Sequence, residues 1–154
     1  MTELENDRIE KKTLIPAPLS RVWRAVSDAA EFGLWFRVRL EGAFRAGSTI
    51  VGRITYPGYE HLKVEMQIVE LVPERYFSYR WRPNAVDPKH DYSAEPMTLV
   101  EFKLEDAGAE GTWLTIVESG FARLPAERRA EAFRNNAGGW SEQLKNIERH
   151  VTKP

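Results

Sequence analysis

Glu118 is the side chain in this sequence best placed to do chemistry. Strand alternation across Trp113–Ser119 puts Leu114, Ile116 and Glu118 on one face. A carboxylate on an apolar face must find hydrogen-bond donors or take up a proton, because desolvation disfavours its charged form. Such a group can orient the polar end of a ligand or act as general acid or base. Arg53, Arg80 and Arg82 are the cations available to pair with it; the plainer alternative is a strand end where Glu118 meets water. The three histidines, His61, His90 and His150, are far apart, and none has a metal-binding partner four residues on. His90-Asp91 with Asp87 nearby reads as a solvated turn or as a small metal or acid/base cluster. Cysteine is absent, which excludes disulfides, thiolate zinc sites, iron–sulfur clusters and a Cys nucleophile. No Gly-x-Ser-x-Gly elbow, dinucleotide fingerprint or phosphate-cradling glycine loop occurs. The residues therefore point to no metal and no cofactor.

Placing Glu118 requires a surface opposite its strand, and the stretch from Ala126 to Val151 supplies one. Ala130, Phe133, Ala137, Trp140, Leu144, Ile147 and Val151 recur at alternating spacings of three and four, one stripe along a long helix. Gly138-Gly139 interrupts it, reading as close packing against the sheet, a kink, or a bend that admits a ligand. Upstream, alternation gives strands at Arg8–Ile15, Val38–Glu41, Ser48–Tyr56, Leu62–Leu71, Tyr76–Arg82 and around Val100–Leu104. The apolar phase slips by one near Ile68, which predicts a β-bulge or a strand buried on both faces. Pro18 opens a short helix to Ser27, and Asp28 with Glu31 matches a capping box for a second, whose face carries Phe32, Trp35 and Phe36. Pro83–Pro96 has turn chemistry and no period, as a loop over one end of the sheet would.

Strands grouped together with segregated helices indicate an α+β fold: a curved antiparallel sheet of six to seven strands gripping a long C-terminal helix, with two short helices after the first strand. The chain has 154 residues and no linker or repeat, so it reads as a single domain over 1–154 with its core at about 8–151. Its net charge of −1 gives no field to attract nucleic acid. The first residues lack a leader pattern and no apolar run spans a bilayer, so a cytoplasmic protein, monomer or homodimer, is expected.

Ile15-Pro-Ala-Pro18 followed by Val22-Trp23-Arg-Ala-Val26 resembles the opening signature of the heat-shock protein 90 ATPase activator-like (AHSA-like) branch of the START/SRPBCC superfamily. Phe32–Trp35, Val69–Arg75 leading to Tyr79-Arg-Trp81, Thr112–Phe121 and Gly139-Trp140 with Leu144 continue the resemblance across roughly Arg8 to Val151. The resemblance implies the helix-grip fold of the birch-pollen allergen, and a cavity between sheet and long helix that takes apolar or amphipathic molecules in many relatives.

The expected pocket takes Phe133 and Trp140 from the helix, and Met66, Trp81, Val100, Phe102, Leu114, Ile116 and Glu118 from the strands. Trp35 and Phe36 are expected to close its mouth. The expected function is binding of a small hydrophobic or aromatic ligand. The alternatives are an enzyme of the polyketide cyclase/dehydratase type with Glu118 as the proton-transfer group, and a co-chaperone-like protein-interaction module.

Overall fold

The computed structural model describes residues 7–87 and 89–153. Met1–Asn6, on which the expectation about a leader pattern rests, lie outside them, as do Pro88 and Pro154. Among the described residues, the alternating segments form β1 (Arg8–Ile15), β2 (Val38–Leu40), β3 (Thr49–Ile54), β4 (Lys63–Val72), β5 (Tyr76–Trp81), β6 (Thr98–Asp106) and β7 (Thr112–Ser119). They make one curved, unclosed antiparallel sheet in the order β1-β7-β6-β5-β4-β3-β2. The helices are α1 (Leu19–Ser27), α2 (Ala29–Phe36) and α3 (Ala126–Thr152). The α+β helix-grip architecture expected from the sequence is present.

The phase slip in β4 is a bulge. Ile68 pairs with Tyr79 but Glu70 pairs with Ser78, which leaves Val69 as the extra residue. The extra residue keeps Met66 and Ile68 on the buried face and returns Leu71, which pairs with the buried Phe77, to that same face, where it is partly covered.

Two helix starts differ from the sequence expectation. Pro18 is the cap of α1 rather than its first residue, because its ψ of 150° is still extended. Asp28 caps α2 as expected, its Oδ1 accepting from the Ala30 and Glu31 amides at 2.9 and 3.1 Å. Glu31, however, does not reach back to close a capping box. Its Oε1 lies 2.7 Å from Arg21 Nη1 and 2.8 Å from His150 Nε2, and its Oε2 lies 2.7 Å from Arg24 Nε. Three basic side chains compete better for a carboxylate than one backbone amide does. Glu31 thereby ties α1, α2 and the end of α3 together. At the other end of α2, Gly33 permits the turn into β2, since a Cβ there would lie 2.3 Å from the Val38 carbonyl oxygen. That tight return seats Phe36 at the end of the helix.

Helix α3 buries Ala132, Trp140, Leu144, Ile147 and Val151, with Phe133 and Ala137 partly covered. Ala130 is exposed, contrary to the expected stripe. A seven-residue repeat lags a 3.6-residue helix by about 20° per heptad, so three heptads before Val151 Ala130 has rotated off the stripe. Gly138 and Gly139 do not pack against the sheet. Both are exposed, the helix runs through them, and a Cβ at either would meet nothing within 4 Å. Nothing in the structure explains the pair.

The acid limb of stability should report on Glu31. Burial works against its charge, but the bonds from His150 and Arg21, then Arg24, outweigh burial and hold its carboxyl below the usual carboxylate range. A folded value below the unfolded one means the stabilisation is complete above the ordinary value of 4.5 and is lost as pH falls through the folded value. Glu31→Gln should therefore lower stability by about 1 kcal/mol at neutral pH and by progressively less below pH 4.5. Urea melts at several pH values check this, and a difference independent of pH would contradict it.

Candidate functional site: an open cleft above a buried carboxylate

The alternation of β5, β6 and β7 turns Trp81, Tyr79 and Phe77, then Thr98, Val100 and Phe102, then Glu118, Ile116 and Leu114 to one face. In register, Tyr79 lies beside Val100, and Val100 beside Glu118. Opposite them, α3 presents Asn136 and Trp140 one turn apart. The space between these walls holds a chain of touching rings. Phe102 lies 5.8 Å from Trp140 and from Phe77, and Phe32 lies 4.5 Å from Trp35 and 6.3 Å from Tyr79. Trp81 stacks on Trp140 at 5.8 Å and 27°, and Phe36 stands edge-on to Trp81 at 5.7 Å. Such pairs add about 0.5–1.5 kcal/mol each beyond the area they bury.

Glu118 sits inside this aromatic layer, fully buried. Its Oε1 accepts from Trp140 Nε1 at 2.8 Å and Asn136 Nδ2 at 2.9 Å. Its Oε2 accepts from Trp81 Nε1 at 2.8 Å and Thr98 Oγ1 at 2.5 Å. The arginines expected as partners do not reach it, because the odd–even alternation of their strands turns Arg80 and Arg53 to the outer face while Arg82 pairs with Glu65 at 3.7 Å. The Tyr79 phenol is buried nearby without a hydrogen-bond partner among the described residues. Burial, and then the Glu118 charge, push it well above its usual value, so it stays protonated.

The free volume lies to the side of this layer. A cleft of about 900 Å3 opens between the inner face of β3–β4, the end of β5, residues 84–86 and 92, and Asn136. Phe36, Ile54, Leu62, Val64, Trp81 and Val86 give it apolar walls, while Asn84, Tyr92 and Asn136 are its neutral polar groups. Arg39, Arg53 and Lys63 also border it, but they alternate with the inward residues Leu40, Gly52, Ile54 and Val64 and so belong to the opposite face of the sheet. Trp81 and Asn136 have a double position: both line the cleft, and each donates to one oxygen of Glu118. The carboxylate is one side-chain layer below the floor.

Of the residues expected to form a pocket, Phe36 and Trp81 line the cleft and Glu118 and Trp140 lie directly behind them. Met66, Val100, Phe102, Leu114 and Ile116 are fully buried in the core beneath. Trp35 is also buried, its indole N–H donated to the Ala25 carbonyl at 2.8 Å, so Phe36 alone of the pair stands at the mouth. Phe133 packs edge-on against Phe121 at 5.4 Å instead of joining the cleft. Sequence reasoning missed Thr98 and Asn136. Both were within reach of it: Thr98 shares the parity of Val100 and Phe102, and Asn136 precedes Trp140 by one helical turn.

It also missed Arg128, which fastens the 83–96 loop to α3. Its guanidinium donates to the Pro83 and Asn84 carbonyls at 3.0 and 3.3 Å and to Glu95 at 2.9 Å, and it lies over the Tyr92 ring at 4.7 Å. His90, which read as part of a solvated turn or of a small cluster with Asp91 and Asp87, is exposed, and its ring lies 2.8 Å from Glu95. Burial opposes the Glu95 charge, but Arg128 and then His90 prevail and hold it below the usual range. One side chain thus secures both ends of the segment that forms a wall of the cleft.

Comparison with known proteins accords with this geometry. A family model described as "Activator of Hsp90 ATPase homolog 1-like protein" matches residues 16–152. The chain belongs to this family. Comparison with curated proteins gave no match. Among solved structures, protein MLL2253 from Mesorhizobium loti is similar with a TM-score of 0.73 and 21% identity, over 96% of this chain and 99% of that one. The Aha1 dimer from Colwellia psychrerythraea is similar with a TM-score of 0.69 and 17% identity, over 94% and 95% of the two chains. DynU16 of the dynemicin biosynthetic locus gives 0.71 and 22%, over 94% of this chain and 47% of that one. At these identities the likeness establishes the fold. Among the described residues, no helix of this family member is long and apolar enough to cross a membrane.

Two outcomes follow from the site. Trp140→Phe keeps the ring and removes one donor to a buried carboxylate, so it should destabilise by about 1.5–3 kcal/mol in urea melts, and Glu118→Gln, which turns an acceptor oxygen into an NH2 facing donors, by at least as much. Arg128→Ala should leave global stability within about 1 kcal/mol while hydrogen exchange across 83–96 speeds markedly. Unchanged exchange there would show that the guanidinium does not hold the loop.

Proposed function

We propose that this protein binds a small apolar or aromatic molecule in the cleft between β3–β4, the 83–96 loop and α3. The observation that carries the reading is the cleft's wall. Phe36, Trp81, Ile54, Val64 and Val86 offer ring and aliphatic surface to solvent across a volume of about 900 Å3, within the range of small-molecule sites, roughly 300–1,000 Å3. Neutral polar groups at Asn84, Tyr92 and Asn136 are available to fix orientation. Membership of a family built on the helix-grip fold, and the likeness to DynU16, support a ligand-binding cavity as its use.

The nearness of Glu118 supports a second reading, an enzyme of the cyclase or dehydratase type with that carboxylate as acid or base. It is the weaker reading, because each oxygen already accepts two hydrogen bonds and Asn136 would have to withdraw before a substrate proton could reach Oε1.

Titration with the neutral fluorophore Nile red is expected to give saturable enhancement. Val64→Trp, which fills the cleft from an already half-covered strand position, should weaken that binding at least tenfold with stability little changed. Equal binding by the variant would move the site elsewhere, and no enhancement with wild-type protein would refute the reading.

A further inference from the structure

The buried carboxylate lacks a countercharge. Glu118 has no exposed surface, its four partners are neutral side chains, and among the described residues it makes no ion pair. Buried charges are ordinarily paired with an opposite charge or a metal, because removing an ion from water is expensive. Four neutral donors satisfy its lone pairs without cancelling its charge. The region behind the cleft floor is therefore negative and shielded from water, where electrostatic interactions are strong.

The surfaces in front of it favour the same sign of ligand. Phe36 and Trp81 present π systems to the cleft, with Trp140 stacked behind Trp81. Aromatic faces attract cations, most strongly when both are partly desolvated. Asn136 is the remaining polar layer. Its amide lines the cleft and occupies Glu118 Oε1, and a charged N–H can replace that neutral donor because a charge-assisted bond to a carboxylate is the stronger one. An N–H of a ligand that takes the place of that amide would reach the carboxylate directly. The basic residues bordering the cleft do not oppose this at its inner end: Arg39, Arg53 and Lys63 belong to the outer face, and Arg82 is engaged with Glu65.

We infer that the inner end of the cleft takes an organic ammonium group carried on an apolar or aromatic body, donating to Glu118 Oε1 in place of Asn136 with its charge against the Phe36 and Trp81 rings. This narrows the ligand class and rests on the cleft being a ligand site.

The test is isothermal titration of the full-length protein at neutral pH with three probes of one shape: naphthylmethylamine, naphthylmethanol and naphthoate. The amine should bind about tenfold tighter than the alcohol, and naphthoate most weakly. Glu118→Gln, compared across the three probes, should abolish the preference for the amine. Asn136→Ala keeps the carboxylate, frees Oε1 and should tighten the amine selectively; this variant decides the matter if Glu118→Gln does not fold. Alcohol or naphthoate binding as tightly as the amine overturns the ammonium assignment while leaving the cleft a ligand site. A preference that survives Glu118→Gln, or an amine affinity unmoved by Asn136→Ala, also overturns it. If none of the three binds, the ammonium assignment and the ligand-site reading fall together.

Discussion

The interaction on which this structure turns is the fourfold hydrogen bonding of one buried carboxylate. Glu118 stands on β7, and its donors come from the end of β5, the start of β6, and two consecutive turns of α3. Burying that group without donors would be prohibitive, so the donors must arrive together, and their arrival fixes how α3 lies on the sheet. Hydrophobic burial alone would tolerate a helix rotated or slid by a fraction of a turn, since rings pack against rings in several ways. One indole N–H and one amide N–H from the helix, aimed at a single carboxylate oxygen, do not tolerate it. The carboxylate is thus a registration device between helix and sheet as well as the nearest charge to the cleft.

The same requirement explains where the free volume lies. Indoles that point their N–H groups at Glu118 must bring their ring planes into the interior, and Trp81, Trp140, Phe102, Tyr79 and Phe32 then fill the middle of the grip by contact with one another. Beyond Phe36 and Trp81, β2 to β4 stand away from α3, and the 83–96 loop, fastened by Arg128, forms the facing wall instead. A second polar hub at Glu31 holds the two short helices to the far end of α3, so both ends of the long helix are tied to the body through carboxylates.

Much of this was legible from the residues in order. Period-two alternation located the strands to within a residue or two, and a slip in that alternation near Ile68 pointed to a bulge or a doubly buried strand, of which the structure has the bulge, with Val69 the extra residue. Glu118 was identifiable because a carboxylate on an apolar parity is anomalous wherever the strand sits. What alternation could not provide was the register between strands. Without it Trp81 and Thr98 could not be singled out among the inward-facing residues as the groups that meet Glu118, although alternation already set Arg53 and Arg80 on the opposite face. The capping-box reading of Glu31 failed for a similar reason: its local pattern was correct, but Arg21 and His150 reach it only once α1 and α3 have packed.

The amino-acid sequence by itself determined the elements, the α+β class and the inward-facing sets on each strand, because these follow from local periodicity and from the spacing of Pro, Gly and capping residues along the chain. Tertiary structure alone decided which inward-facing residues touch, which of them line open space, and that neutral donors rather than a cation surround the carboxylate. Those outcomes depend on distances between segments up to a hundred residues apart. A contact such as Thr112 Oγ1 to the Ala17 carbonyl, at 2.8 Å, has no signature in either segment taken alone.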